Sequence, residues 1–154
     1  PGSPAVVHSI LLAALRAGMN VSLAHPKGFD LEPSVMDEAH TQAESEGASL
    51  EVGHEMDAAA RGAHVVYARS WWPLESYGNP TLTASRLARE TGWCVDERTM
   101  ALGEDARLMH PMPVRRNLEA SDEVLDGPRS LLIDQAANRL HTQKGLLSLL
   151  FRPS

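Results

Sequence analysis

Three short stretches of this 154-residue chain hold residue types that could do chemistry. The first is Met109-His110-Pro111-Met112-Pro113-Val114-Arg115-Arg116-Asn117. Its alternating prolines force an extended path and remove two backbone donors, leaving the carbonyls from His110 to Pro113 without regular partners. Free carbonyls suit an amino group. His110 adds a side chain that can donate to a developing oxyanion or accept a proton near neutral pH. Arg115 and Arg116 offer forked donors for a carboxylate. A proline-rich turn with two solvated arginines has the same spacing, so this stretch alone leaves both readings open.

The second stretch is Arg69-Ser70-Trp71-Trp72, at the end of the apolar run Val65-Val66-Tyr67-Ala68. A cation where a strand opens into an aromatic loop can bind an anion beneath rings that exclude water. The alternative is that Trp71 and Trp72 cap the core and Arg69 lies at the surface. The third stretch runs from Asp134 to Lys144 and includes Arg139. A helix N-terminus already favours negative charge, so Arg139 near it calls for an anionic ligand or an acid such as Asp134.

Other chemistries lose ground by absence. No glycine-rich phosphate loop, His-Glu-x-x-His pair or Gly-x-Ser-x-Gly elbow occurs. The seven histidines lack ligand spacing, and Cys94 is the only cysteine, so no metal site and no internal disulfide is expected. The net charge of −6 gives no basic footprint for nucleic acid. No apolar run reaches the roughly 20 residues of a membrane span. A reducing, cytoplasmic setting is the expectation.

These stretches must be held by regular elements. Helical spacing predicts a helix over 5–17 closed by Gly18, and another from Pro33 to Gly47. Strands are expected at 20–24, 49–52, 65–68, 107–109 and 130–133, the almost wholly apolar 65–68 as a buried one. Short helices are expected at 57–61, 83–90 and 97–102 and after Ser121. Two prolines and Gly78 make 70–80 a long loop. The longest helix is expected over 135–150 with Asp134 as its N-cap. Alternating strands and helices predict an α/β fold, a doubly wound, mostly parallel sheet with helices on both faces. Ligands in such folds sit beyond the carboxyl ends of the strands, which places the loops at His25, at 70–80 and at 110–117 on one rim.

Taken together these motifs resemble the second, amino-acid-binding domain of the aspartate and ornithine carbamoyltransferases. His110-Pro111-Met112-Pro113 is similar to the family's His-Cys-Leu-Pro or His-Pro-Leu-Pro signature. Asp122-Glu123-Val124-Leu125-Asp126-Gly127-Pro128-Arg129-Ser130 and Asn138-Arg139-Leu140-His141-x-Gln143-Lys144 resemble its ornithine-type continuation. Tyr67-Ala68-Arg69-Ser70-Trp71 and Val114-Arg115-Arg116-Asn117 resemble the branch acting on N-acetylornithine or N-succinylornithine. The likeness runs from Pro1 to Leu150.

The resemblance implies transfer of a carbamoyl group from carbamoyl phosphate to the side-chain amine of ornithine or an N-acylornithine, with no metal or organic cofactor. His110 and Arg139 would stabilise the oxyanion. Carbonyls around Pro111 and Met112 would hold the carbamoyl amino group. Arg69 would meet the acceptor's carboxylate, with Ser70, Trp71, Trp72 and Arg115 shaping its pocket. Glu119 stands where some relatives carry a carboxylated lysine and would supply that negative charge directly. Arg69 replaces a lysine, Trp72 a small residue, and Pro111 resembles the aspartate branch, so acceptor identity stays open.

Family members are about twice as long, and the Ser-x-Arg-Thr phosphate cradle and His-Pro-x-Gln motif of their first half do not occur here. By itself the chain is expected to be nearly inactive, a half completed by a separate carbamoyl-phosphate-binding chain or domain. The alternative is a binding module that retains the amino-acid pocket without catalysis. The family's trimer is a further possibility for assembly. Pro1-Gly2-Ser3-Pro4 reads as a remnant of the proline-rich loop through which the acylornithine branch threads its knotted backbone.

Overall fold

The computed structural model describes residues 5–69, 76, 78–90 and 92–151. Helix α1 (Ala5–Arg16) ends at Gly18, whose φ of 71° is a left-handed conformation that glycine adopts without strain. Strand β1 (Val21–Ala24) leads to α2 (Pro33–Glu46), which begins on proline and ends at left-handed Gly47. Strand β2 (Leu50–Gly53), α3 (Met56–Ala60) and β3 (Val65–Tyr67) follow. Helix α4 spans Pro80–Leu87, with the Asn79 side chain accepting the Leu82 N–H at 3.0 Å. Helix α5 (Glu97–Met100) is capped by Asp96, which accepts the Thr99 N–H at 2.8 Å. Strand β4 (Arg107–Met109), α6 (Asp122–Asp126) with Ser121 as its N-cap, and α7 (Leu132–Leu150) complete the order.

The strands pair in parallel, β1 with β2 and β3 with β4, and the chain is an α/β domain of Rossmann-like kind. Among the described residues the pairs form two two-stranded sheets. Two apolar clusters hold them. Leu11 and Leu15 of α1 meet Ala39 and Ala43 of α2, with Val21, Leu23 and Leu50 against them. Met100, Leu108, Ala120, Val124, Leu125 and Leu132 form the second cluster around β4. A leucine as fully buried as Leu108 stabilises the fold by about 1.5–3 kcal/mol.

Three local expectations are corrected. Residues 130–133 do not form a strand: Ser130 makes one isolated parallel bridge to Leu108, and the chain turns into α7 two residues later. Asp134 is therefore not the N-cap of α7 but lies in its first turn; Leu131 occupies the cap position without a side-chain bond, and Asp134 contributes only favourable charge there. The apolar run at Val65 is less enclosed than its composition suggests, since Val65 is 49% exposed and β3 has only β4 as a described neighbour. The first four residues, and with them the reading of a loop remnant, lie outside the described residues.

Candidate functional site

Strand pairing brings two of the sequence motifs side by side. Tyr67 is in register with Met109, and the Ala68 N–H donates to the Met109 carbonyl at 2.9 Å. The segments starting at Arg69 and His110 therefore leave the carboxyl ends of adjacent parallel strands, the place where open α/β sheets bind ligands. Arg69 is half-buried there. Ser70, Trp71 and Trp72 lie outside the described residues.

His110 is 1% exposed. Its backbone N–H donates to Oε1 of Gln135 on α7 at 2.9 Å, and Nε2 of the same glutamine reaches the Tyr67 hydroxyl at 3.4 Å. Gln135 thus ties β3, β4 and the first turns of α7 together. Sequence reasoning passed it over because an amide one residue into an expected helix carries no motif. The His110 Nδ1 accepts the Met112 N–H at 3.1 Å. A neutral ring must then carry its proton on Nε2, which stands 2.9 Å from Glu119 Oε2 in an approach oblique to the N–H direction.

Glu119 is the other half of this buried arrangement, its side chain fully enclosed like that of His110. Its Oε1 accepts from Arg115 Nε at 2.7 Å and its Oε2 from the Arg115 backbone N–H at 3.0 Å. A buried carboxylate is tolerated only when donors surround it in this way. The loop between the two residues is folded so that they meet: Met112 and Asn117 have positive φ values of 43° and 58°, and the Met112-Pro113 peptide bond is cis. Non-glycine residues adopt that backbone region at a cost, and such strain concentrates at functional loops.

Pro111 is half-buried and Met112 is 47% exposed, so the loop reaches solvent just beyond the enclosed histidine. The carbonyls of His110, Pro111 and Met112 accept no hydrogen bond among the described residues. They are free to receive one. Arg115 turns its Nε inward to Glu119 and keeps 38% of its side chain exposed. Arg116, read from spacing as a second fork for a carboxylate, is already occupied: it donates to Asp122 and Asp126 of α6, while Asn117 bonds Asp122. These pairs hold the Arg116 guanidinium protonated and keep both aspartate carboxyls below their usual range.

Arg139 is exposed on α7 and makes no ion pair with Asp134. It lies one turn beyond Gln135, and residues four apart share a helix face. The structure therefore places Arg139 on the same side of α7 as the Gln135 contact to His110, but no bond joins the two, and their surroundings differ. One is sealed, the other solvated. Elsewhere, an open depression of about 300 Å³ is lined by His54, Glu55, Asp57, Trp93 and Arg98 among others, and none of the residues above borders it. No group of three or more metal-ligating side chains occurs among the described residues. Nor is any described helix long and apolar enough to cross a membrane.

Comparison with known proteins gives this arrangement a lineage. Residues 2–150 match the family described as aspartate/ornithine carbamoyltransferase, Asp/Orn binding domain. The N-acetylornithine carbamoyltransferase of Xanthomonas campestris pv. campestris is 40% identical over 151 residues, which is 97% of this chain and 44% of the relative. The ornithine carbamoyltransferase of Acidothermus cellulolyticus is 40% identical over 146 residues, 94% of this chain and 46% of the relative. Among solved structures, acetylornithine transcarbamylase complexed with acetylcitrulline superimposes with a TM-score of 0.91 at 40% identity, over 99% of this chain and 46% of that one. The chain spans less than half the length of these relatives, and it belongs to the aspartate/ornithine carbamoyltransferase family as its Asp/Orn-binding domain.

Proposed function

We propose that this domain binds the acceptor amino acid, ornithine or an N-acylornithine, and presents its side-chain amine to carbamoyl phosphate held by a carbamoyl-phosphate-binding domain. The single observation that carries this reading is the enclosed His110, locked between Glu119 and the Met112 N–H at the rim where β3 and β4 end. That lock fixes a loop whose carbonyls accept no hydrogen bond among the described residues, the acceptor-rich segment a carbamoyl NH₂ group needs.

The roles proposed here are those the family resemblance implies. Carbonyls of His110, Pro111 and Met112 orient the carbamoyl amino group, so that the carbon is held for attack. Arg139, exposed on α7 and without an ion pair among the described residues, supplies charge to the tetrahedral oxyanion. His110, its Nδ1 on the Met112 N–H and its Nε2 facing Glu119, holds the carbonyl loop in place. Arg69, at the end of β3, meets the acceptor carboxylate, and Ser70, Trp71, Trp72 and Arg115 bound its pocket. The residues present call for no metal or organic cofactor in this chemistry.

Isothermal calorimetry with N-acetylornithine, N-acetylcitrulline, ornithine and aspartate tests the acceptor assignment. One of the ornithine-derived ligands should bind, and Arg69→Ala should weaken it about 10-fold or more, the value of a lost charge-assisted contact. Binding of aspartate in preference to every ornithine derivative would reject the assignment.

A further inference from the structure

The open depression of about 300 Å³ shares no lining residue with the His110 loop. It lies between the start of α3 and the segment that joins α4 to α5, and its volume suits a ligand the size of an amino acid. Its charged side chains divide into two sets. Arg98 of α5 closes on Asp57 of α3 through two bonds, Nη1 to Oδ2 at 2.6 Å and Nη2 to Oδ1 at 3.1 Å, so each satisfies the other. Glu55, Arg89 and Glu90 line the same depression and make no side-chain hydrogen bond or ion pair among the described residues. Two carboxylates and one guanidinium on its wall are therefore uncommitted.

An aromatic ring accompanies them. Trp93 is half-buried and lines the depression, and its backbone N–H donates to the Glu90 carbonyl at 3.3 Å, so indole and carboxylate belong to one turn of chain. An indole and a carboxylate bordering one depression suit an organic cation, above all the planar guanidinium, which stacks as well as attracts. The sign and number of the uncommitted groups narrow the ligand further. A phosphate or a dicarboxylate would meet two like charges for one opposite. A polyamine would answer Glu55 and Glu90 but bring nothing to Arg89. A metal ion would find no group of three ligating side chains among the described residues. A basic amino acid, with two positive groups and one carboxylate, matches the three one for one.

We infer that this depression is a second amino-acid site, which takes a free basic amino acid ending in a planar cation. Trp93 and Glu90 receive the side-chain cation, Arg89 the carboxylate and Glu55 the α-ammonium. A ligand held in this way bridges the start of α3 and the segment before α5, beside the Asp57–Arg98 pair that already joins those two helices. The inference goes beyond the acceptor reading and does not rest on it.

The test is calorimetry on the 154-residue chain with L-arginine as the probe, beside agmatine, which lacks the carboxylate, and citrulline, which lacks the side-chain charge. Arginine should bind one to one with a Kd below about 1 mM, and the other two at least about 5-fold more weakly. Arg89→Ala, and Glu55→Gln combined with Glu90→Gln, should each weaken arginine about 10-fold, and the affinity should fall as salt rises. Glu55 and Arg89 are exposed, so the variants keep the fold, which circular dichroism checks. Arginine should change the tryptophan fluorescence of the parent chain but not that of Trp93→Phe. Arg69→Ala should leave arginine binding as it was. No arginine binding, agmatine or citrulline binding as tightly as arginine, or indifference to the Arg89, Glu55 and Glu90 changes would each overturn the second site. Arginine binding lost in Arg69→Ala alone would place the probe in the acceptor pocket, overturning this inference while supporting the acceptor reading.

Discussion

Replacing Glu119 by alanine is the sharpest perturbation of the buried arrangement. Its carboxylate takes three contacts, from the Arg115 N–H at 3.0 Å, Arg115 Nε at 2.7 Å and His110 Nε2 at 2.9 Å. Truncation strands the His110 ring and the Arg115 N–H inside the protein, at about 1–3 kcal/mol each. The Arg115 side chain is 38% exposed, so its share is discounted for solvent screening to less than about 1 kcal/mol. Together these give about 2–7 kcal/mol, a span centred near the range of about 3–5 kcal/mol for a buried pair deprived of one member. With a urea m value near 2 kcal/mol/M, the unfolding midpoint should fall by about 2 M. Glu119→Gln keeps the volume and one acceptor and should cost about 1–2 kcal/mol. Urea titrations followed by circular dichroism give the midpoints, and the His110 ring nitrogens report the local change by ¹⁵N NMR. A loss below about 1 kcal/mol for Glu119→Ala, with the ring signals unmoved, would refute the view that Glu119 holds His110.

Three further outcomes are expected. Arg116 beside Asp122 and Asp126, and the Thr99 N–H on Asp96, hold these carboxyls below the ordinary aspartate value of 3.8. The unfolded chain binds those protons more tightly, so the stability they give is complete above that value and is lost as pH falls through the depressed folded values. Urea midpoints taken from about pH 5 to about pH 2.5 should drop in the lower part of that range; a triple Asp→Asn variant with the same dependence would contradict this. Burial, with Asp96 nearby, pushes the Cys94 thiol above its ordinary value of 9.0. Iodoacetamide should therefore modify the folded chain more slowly than the urea-unfolded chain at about pH 8, and equal rates would contradict the placement. A Cβ at Gly103 would stand 2.5 Å from the Ala106 Cβ and 2.7 Å from the Ala63 carbonyl, so Gly103→Ala should cost about 1–3 kcal/mol. Gly145→Ala meets nothing within 4 Å in α7 and should stabilise by up to about 1 kcal/mol; calorimetric melting separates the two.

Much of this architecture was legible in local chemistry. Gly18 and Gly47 mark the ends of α1 and α2 because left-handed closure is a property of a few adjacent residues. Pro33 and Ser121 mark helix starts for the same local reason. Residues 130–133 misled because a short apolar run has the same pattern as a strand and as the buried first turn of a helix, and packing of Leu132 against the β4 cluster decides between them. The site divides in the same way. Alternating prolines foretold that the carbonyls of 110–112 accept no hydrogen bond among the described residues. The meeting of His110 with Glu119 depends on left-handed Met112 and Asn117; asparagine favours that conformation, but nothing in the preference of methionine announces it. Arg116 looked like a ligand fork because the α6 acids that occupy it are brought near only by the turn at Asn117.

The account stands or falls on steady-state formation of citrulline or N-acetylcitrulline when this chain is combined with a carbamoyl-phosphate-binding half from a relative. It predicts turnover by the combination and almost none by the chain alone. His110→Ala and Arg139→Ala should each lower kcat by about 10²- to 10³-fold while the KM for the acceptor shifts only a few-fold. No turnover from the wild-type combination, or full turnover from the His110 and Arg139 variants, would contradict it.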